Sequence, residues 1–153
     1  MRLGRALAWF VPAYLIVTVL ASASTLIYAG VNDTAAADEA ASSMVTAPSF
    51  TATVPYHVLI MLLVFTPAAY LYFRRPRGGN QTRETLLLAL CWLAAAMVVD
   101  FVGFVVIQNP WSMPAREFYV DYQPWISLIY LAIFASPWLR LAAVRARPAR
   151  LAA

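Results

Sequence analysis

Four apolar stretches, each about twenty residues long, dominate this chain and leave it few ways to fold. They run over about 7–29, 54–73, 85–107 and 124–144. A hydrocarbon layer about 30 Å thick is crossed by about 20 helical residues rising 1.5 Å each, so each stretch has spanning length. Lipid offers no partner to an open backbone, and the alternating pattern of a membrane barrel is absent, so the spans are expected to be helices. Composition agrees: 63% of the residues are hydrophobic and 12% are charged. Soluble domains run about 45–50% apolar and about 25% charged, and disordered chains are poorer still in apolar residues. The expected fold is all-α, a four-helix transmembrane bundle of two helical hairpins forming one membrane domain over 1–153.

Arginine placement sets the expected orientation. Arg2 and Arg5 precede the first span, Arg74, Arg75, Arg77 and Arg83 lie between the second and third, and Arg140, Arg145, Arg147 and Arg150 follow or end the fourth. With both termini cytoplasmic, ten of the eleven arginines fall inside and only Arg116 lies outside. Asp33, Asp38, Glu39, Glu117 and Asp121 are then external and Glu84 internal. Trp111, Phe118, Tyr119, Tyr122 and Trp125 form an outer aromatic belt, and Trp9, Phe10, Tyr70, Tyr72, Phe73 and Trp138 an inner one. The absence of lysine and the richness in Ala and Arg suit a GC-rich bacterial genome, so the expected location is the bacterial inner membrane.

The N-terminus competes with a second reading. Arg2 and Arg5, an apolar run and Ala21-Ser22-Ala23 resemble a secretory signal with its cleavage site. The apolar run continues through Thr25-Leu26-Ile27-Tyr28, however, which makes a full span rather than a 7–15-residue signal core. An uncleaved span is the expectation.

The external stretch 30–53 is rich in Ala, Ser and Thr and is expected to be at most partly ordered. The second external stretch, 108–123, is dense in aromatics and proline and is expected to lie on the membrane surface. A weak internal repeat aligns Pro55-Tyr56-x-x-Leu59-Ile60 with Pro124-Trp125-x-x-Leu128-Ile129. It hints at related hairpins, although apolar spans align by chance and proline commonly opens helices.

Residue counts bound the chemistry. One cysteine, Cys91, allows no intrachain disulfide, and one histidine, His57, leaves too few ligands for a metal site built on imidazole or thiolate. No cofactor and no metal is expected. The net charge of +4 comes from short clusters beside the spans, so nucleic acid is not an expected partner. Those clusters, Arg74, Arg75, Arg77, Arg145 and Arg147, suit anionic lipid head groups.

Asp100 is the residue to single out. It lies inside the third span, where a carboxylate costs about 2.5–3.5 kcal/mol on insertion scales and should face protein or water. Ala89, Leu93, Ala96, Asp100 and Gly103 form a stripe with small residues, a helix-packing face. Counting helical rise from the outer surface places Ser22, Thr25, His57, Ser127 and Tyr130 at similar depth, which makes these five with Asp100 a candidate polar cluster. His57 beside Asp100 would stabilise imidazolium and carboxylate mutually, as a proton site or a small-ligand pocket. The plainer reading is that Asp100 is hydrogen-bonded and locks helix packing. Thr18, Ser22 and Thr25 form one stripe on the first span. Pro12, Pro67 and Pro137 sit toward the inner end of their spans and are expected to kink them.

In size and span number the chain resembles small multidrug exporters, but those carry an acid in the first span and this one has none. Four-span quinone-linked thiol oxidoreductases need paired cysteines, and no Gly-x-Ser-x-Gly nucleophile turn is present. The expected function is therefore a non-enzymatic accessory, assembly or interaction subunit, with membrane lipids and another membrane protein or a further copy as partners. A proton-coupled homo-oligomeric transporter using Asp100 is the first alternative, and a lipid-binding or lipid-modifying protein the second.

Overall fold

A computed structural model describes residues 1–74, 80–108 and 112–146. Helices account for every regular element among them. In chain order these are α1 (Leu3–Asn32), α2 (Ala35–Glu39), a 3-10 turn (Met44–Thr46), α3 (Pro48–Phe73) and α4 (Gln81–Asp100). A π-helical segment, Phe101–Val106, continues α4 directly, a second π-helical turn covers Glu117–Asp121, and α5 is Trp125–Ala146. α1, α3, α4 with its π extension, and α5 are each long and apolar enough to cross a membrane.

Local chemistry explains the helix ends. α1 stops at Asp33, whose left-handed backbone (φ 53°) turns its N–H back to Ala29, a conformation that aspartate tolerates better than most residues. Asn80 caps α4 by accepting from the Arg83 N–H at 3.2 Å. Pro48 opens α3, where the missing N–H costs nothing. The next donor, the Ser49 N–H, is taken at 2.9 Å by Asp38 of α2, an acid at a helix N-terminus where the dipole favours it. These two features start α3 six residues before the apolar run begins. The stretch 30–53, expected to be at most partly ordered, therefore consists largely of helix ends, α2 and the 3-10 turn.

The second stretch packs in part on the bundle itself. Phe118 and Tyr122 are buried, Phe118 stacked on Phe104 of the π segment (5.6 Å, 17°) and Tyr122 against Phe50 of α3 (5.4 Å). Met113 donates from its backbone to Phe104 at 2.8 Å, which folds the stretch back over the bundle. Trp111 lies outside the described residues.

α3 is the central helix, packed on α1 and on α5; α5 packs in turn on α4, and α1 and α4 touch least of these pairs. A ladder of rings fills the middle: Phe10 lies 5.9 Å from Phe65, and Phe65 lies 5.4 Å from Trp92. Phe65 and Trp92 are wholly buried. α1 and α4 run parallel in one register. Trp92 donates through Nε1 to the Ala6 carbonyl at 2.9 Å, and Tyr14 donates to Asp100, both pairs separated by 86 residues.

Two sequence patterns map onto this frame. Pro12, Pro67 and Pro137 all lie inside long helices. The aligned prolines of the weak repeat do not occupy matching places: Pro55 is inside α3, whereas Pro124 precedes the first residue of α5. Helix-opening prolines thus give no structural support to the alignment.

Candidate functional site

The structure builds two polar centres where the sequence suggested one. The first surrounds Asp100, the last residue of α4 before the π segment. Its side chain is buried, and Tyr14 of α1 donates a hydrogen bond to Oδ1. Tyr130 of α5 brings its hydroxyl beside Asp100 and Tyr119 without completing a hydrogen bond. Tyr122 stands near enough to feel the carboxylate; burial first, and the Asp100 charge second, push its phenol well above the usual range. The carboxylate is thus bonded by Tyr14 of α1 and lies beside Tyr130 of α5, with Tyr122 of the turn before α5 within electrostatic reach. The wide i→i+5 geometry begins at the next residue, with Ile107 donating to Val102 at 2.9 Å. π segments within helices often accompany functional positions.

The second centre surrounds His57 of α3. Its Nε2 lies 3.2 Å from Ser24 Oγ and 3.5 Å from Thr25 Oγ1, both on α1. Thr25 Oγ1 is 3.0 Å from Thr53 Oγ1, and Thr53 donates to the Ser49 carbonyl at 2.8 Å. The Phe50 ring closes one side, edge-on at 5.6 Å. Ser24 directs its hydroxyl hydrogen to the Ala21 carbonyl at 2.7 Å. The lone pairs of Oγ are then left to accept, which makes His57 the donor through Nε2–H. A histidine in that tautomer holds two helices together and does not activate the serine, since a general base must receive the hydroxyl proton.

Asp100 and His57 therefore take separate partners. Tyr14 and Thr25, which mark the two centres on α1, are eleven residues apart, about 16 Å along the helix. Of the candidate cluster, Asp100 and Tyr130 come together in one centre and His57 and Thr25 in the other. Ser22 and Ser127 join neither. Ser22 is exposed on α1, and Ser127 is exposed and donates to Gln123 at 2.8 Å. The expected stripe on the first span is split likewise. Thr25 faces α3, whereas Thr18 and Ser22 lie on the open side of α1.

Of the arginines expected at lipid head groups, Arg74 caps α3 and Arg145 donates from Nη2 to Thr82 at 2.8 Å. Arg75, Arg77 and Arg147 lie outside the described residues. Arg140, grouped by sequence with the C-terminal cluster, is buried with its guanidinium 4.3 Å over the Phe73 ring and 5.8 Å from that of Tyr70. Its planar cation suits an aromatic face.

Tyr14, Ser24, Thr53 and Tyr122 are the participants that sequence reasoning missed. Tyr14, Thr18 and Thr25 recur at i, i+4 and i+11, a helical spacing of polar side chains that could have drawn attention to Tyr14. Among the described residues no group of three His, Cys, Asp or Glu side chains is placed to hold a metal ion. Comparison with protein-family models, with curated proteins and with solved structures finds no match.

Proposed function

We propose that the chain is a four-span integral protein of the bacterial inner membrane, with both termini cytoplasmic, acting as a non-enzymatic subunit that assembles with another membrane protein in the membrane plane. One observation carries this reading. Beyond Val17, α1 has no buried residue in its remaining fifteen, and Thr18 and Ser22 point outward among exposed Leu15, Val19 and Leu26. Thr18 already donates to the Tyr14 carbonyl of its own helix at 2.9 Å, and small and hydroxylic residues on the outer face of a spanning helix allow another helix to approach closely. The two polar centres, by contrast, tie the chain's own helices together.

Purification in mild detergent followed by mass spectrometry tests the reading. A stoichiometric membrane partner is expected, reduced when Thr18 and Ser22 are both replaced by Leu. Isolation of the wild type as a clean monomer or homo-oligomer would count against it.

A specific feature favours a second reading, a homo-oligomeric proton-coupled transporter. Tyr130 holds a buried hydroxyl beside Asp100, and buried carboxylates serve as proton sites in membranes. That reading requires Asp100→Asn to abolish the pH dependence of whatever the protein transports.

A further inference from the structure

We infer that the seam between α1 and α4 holds one acyl chain of an anionic phospholipid, with the lipid phosphate at Arg2. The inference rests on the membrane-spanning reading and adds a ligand that the assembly role does not require. Leu3, Leu7 and Val11 of α1 face Cys91, Ala95 and Val98 of α4 across a groove of about 590 Å3. Phe10 also lines it. The groove follows the helices for about 12 Å, the rise from Leu3 to Val11. It is closed at one end by the Tyr14–Asp100 bond, which links the residues just beyond Val11 and Val99, while the Trp92–Ala6 bond ties the same two helices within its length.

These two bonds hold the helices in register while the short side chains of Cys91, Ala94 and Ala95 leave the space between them unfilled. A void in an apolar wall forfeits dispersion contacts, and hydrocarbon alongside recovers them. The lining is apolar, so the part of the ligand inside it must be apolar too.

Charge at the other end selects the head group. Arg2 directly precedes Leu3, is exposed, and bonds through its backbone, the N–H to Tyr72 Oη at 3.4 Å and the carbonyl to the Ala6 N–H at 3.0 Å. Its guanidinium is left for an incoming group. The first turn of α1 contains no acid. The neighbouring Arg5 is occupied, donating to the Leu71 carbonyl at 3.1 Å and lying 5.4 Å from the Tyr72 ring centre. The carboxylate at this end, Glu84, accepts from Tyr72 at 2.9 Å. Arg2 and Arg5 against Glu84 leave the charge beside the mouth net positive, which favours a lipid of net negative charge over one whose phosphate is offset by its own cation.

The test is native mass spectrometry of the full chain, purified and supplied with phosphatidylglycerol or phosphatidylcholine. The wild type is expected to retain one phosphatidylglycerol with roughly fivefold preference, the effect of one basic residue near a charged surface. Arg2→Gln should remove the preference and keep the binding. Ala94→Phe should fill the groove and remove retention of both lipids, whereas Ala94→Ser, which leaves the space open, should bind as the wild type does. Equal retention of the two lipids by wild type and Arg2→Gln would overturn the inference. So would undiminished retention by Ala94→Phe, or a stoichiometric protein crosslinked through position 94. Alkaline carbonate extraction separates the premises: release of the wild type into the supernatant overturns the membrane reading and the lipid site together. Retention in the pellet without lipid preference overturns the site alone.

Discussion

Tyr14 donates a hydrogen bond to Asp100 across the seam where α1 and α4 otherwise touch least. The bond is thus a polar tie between two helices that packing alone holds weakly. It also satisfies a carboxyl group that the apolar surroundings would otherwise penalise.

Tyr14→Phe keeps the ring and removes only the donor. Leaving a buried acceptor unpaired costs about 1–3 kcal/mol. The variant should show a lower melting temperature in detergent than the wild type. Asp100→Asn, whose amide oxygen still accepts from Tyr14, should lose less. Equal stability of Tyr14→Phe and wild type would show that the bond contributes nothing.

Trp92 has a different task in the same seam. It is wholly buried, packs edge-on against Phe65 and donates to Ala6. Trp92→Ala creates a large cavity and should destabilise by about 3–5 kcal/mol. Trp92→Phe should lose less, about 1 kcal/mol for the hydrogen bond together with the cost of a smaller cavity. Thermal unfolding of the two variants side by side checks the ranking.

How much of this was legible follows from what each signal depends on. The four long helices are written in apolar runs, a property of the chain alone. Asp100 announced itself because a charge in such a run needs a partner. Its partner did not, because Tyr14 in an apolar stretch reads as one more packing ring. The candidate pairing with His57 came from counting depth from a common outer surface. That count cannot supply the register of α1 against α4 and α3, which decides that Tyr14 faces Asp100 and Ser24 faces His57. The early start of α3 was half visible in Pro48; its other half, Asp38 capping Ser49, is a contact across eleven residues.

That contact predicts a pH dependence outside the spans. The Ser49 N–H above all, and a bond from Thr34, hold the Asp38 carboxyl below the usual carboxylate range. Because the folded value is depressed, the tether is complete above the unfolded value, about pH 4, and is lost as pH falls through the folded value. Amide exchange at Ser49 should be slow at pH 6, after correction for intrinsic rates, and less protected near pH 3. Asp38→Ala should show the low protection at both pH values.

The tautomer assigned to His57 makes a chemical prediction. Ser24 is engaged as a donor to Ala21 and so is not activated. A fluorophosphonate probe should leave it unlabelled, and Ser24→Ala should cost about 1 kcal/mol of stability, the typical net value of one hydrogen bond. Stoichiometric labelling of Ser24 would contradict the assignment.

The open face of α1 carries the central claim, and site-specific photocrosslinking in intact membranes tests it most directly. A photoreactive residue placed at Ser22, and separately at Thr18, should give one discrete protein adduct, while the same residue at Leu63, exposed on α3, should not. Lipid adducts alone at both α1 positions, in cells where the protein is fully inserted, would contradict assembly through this face.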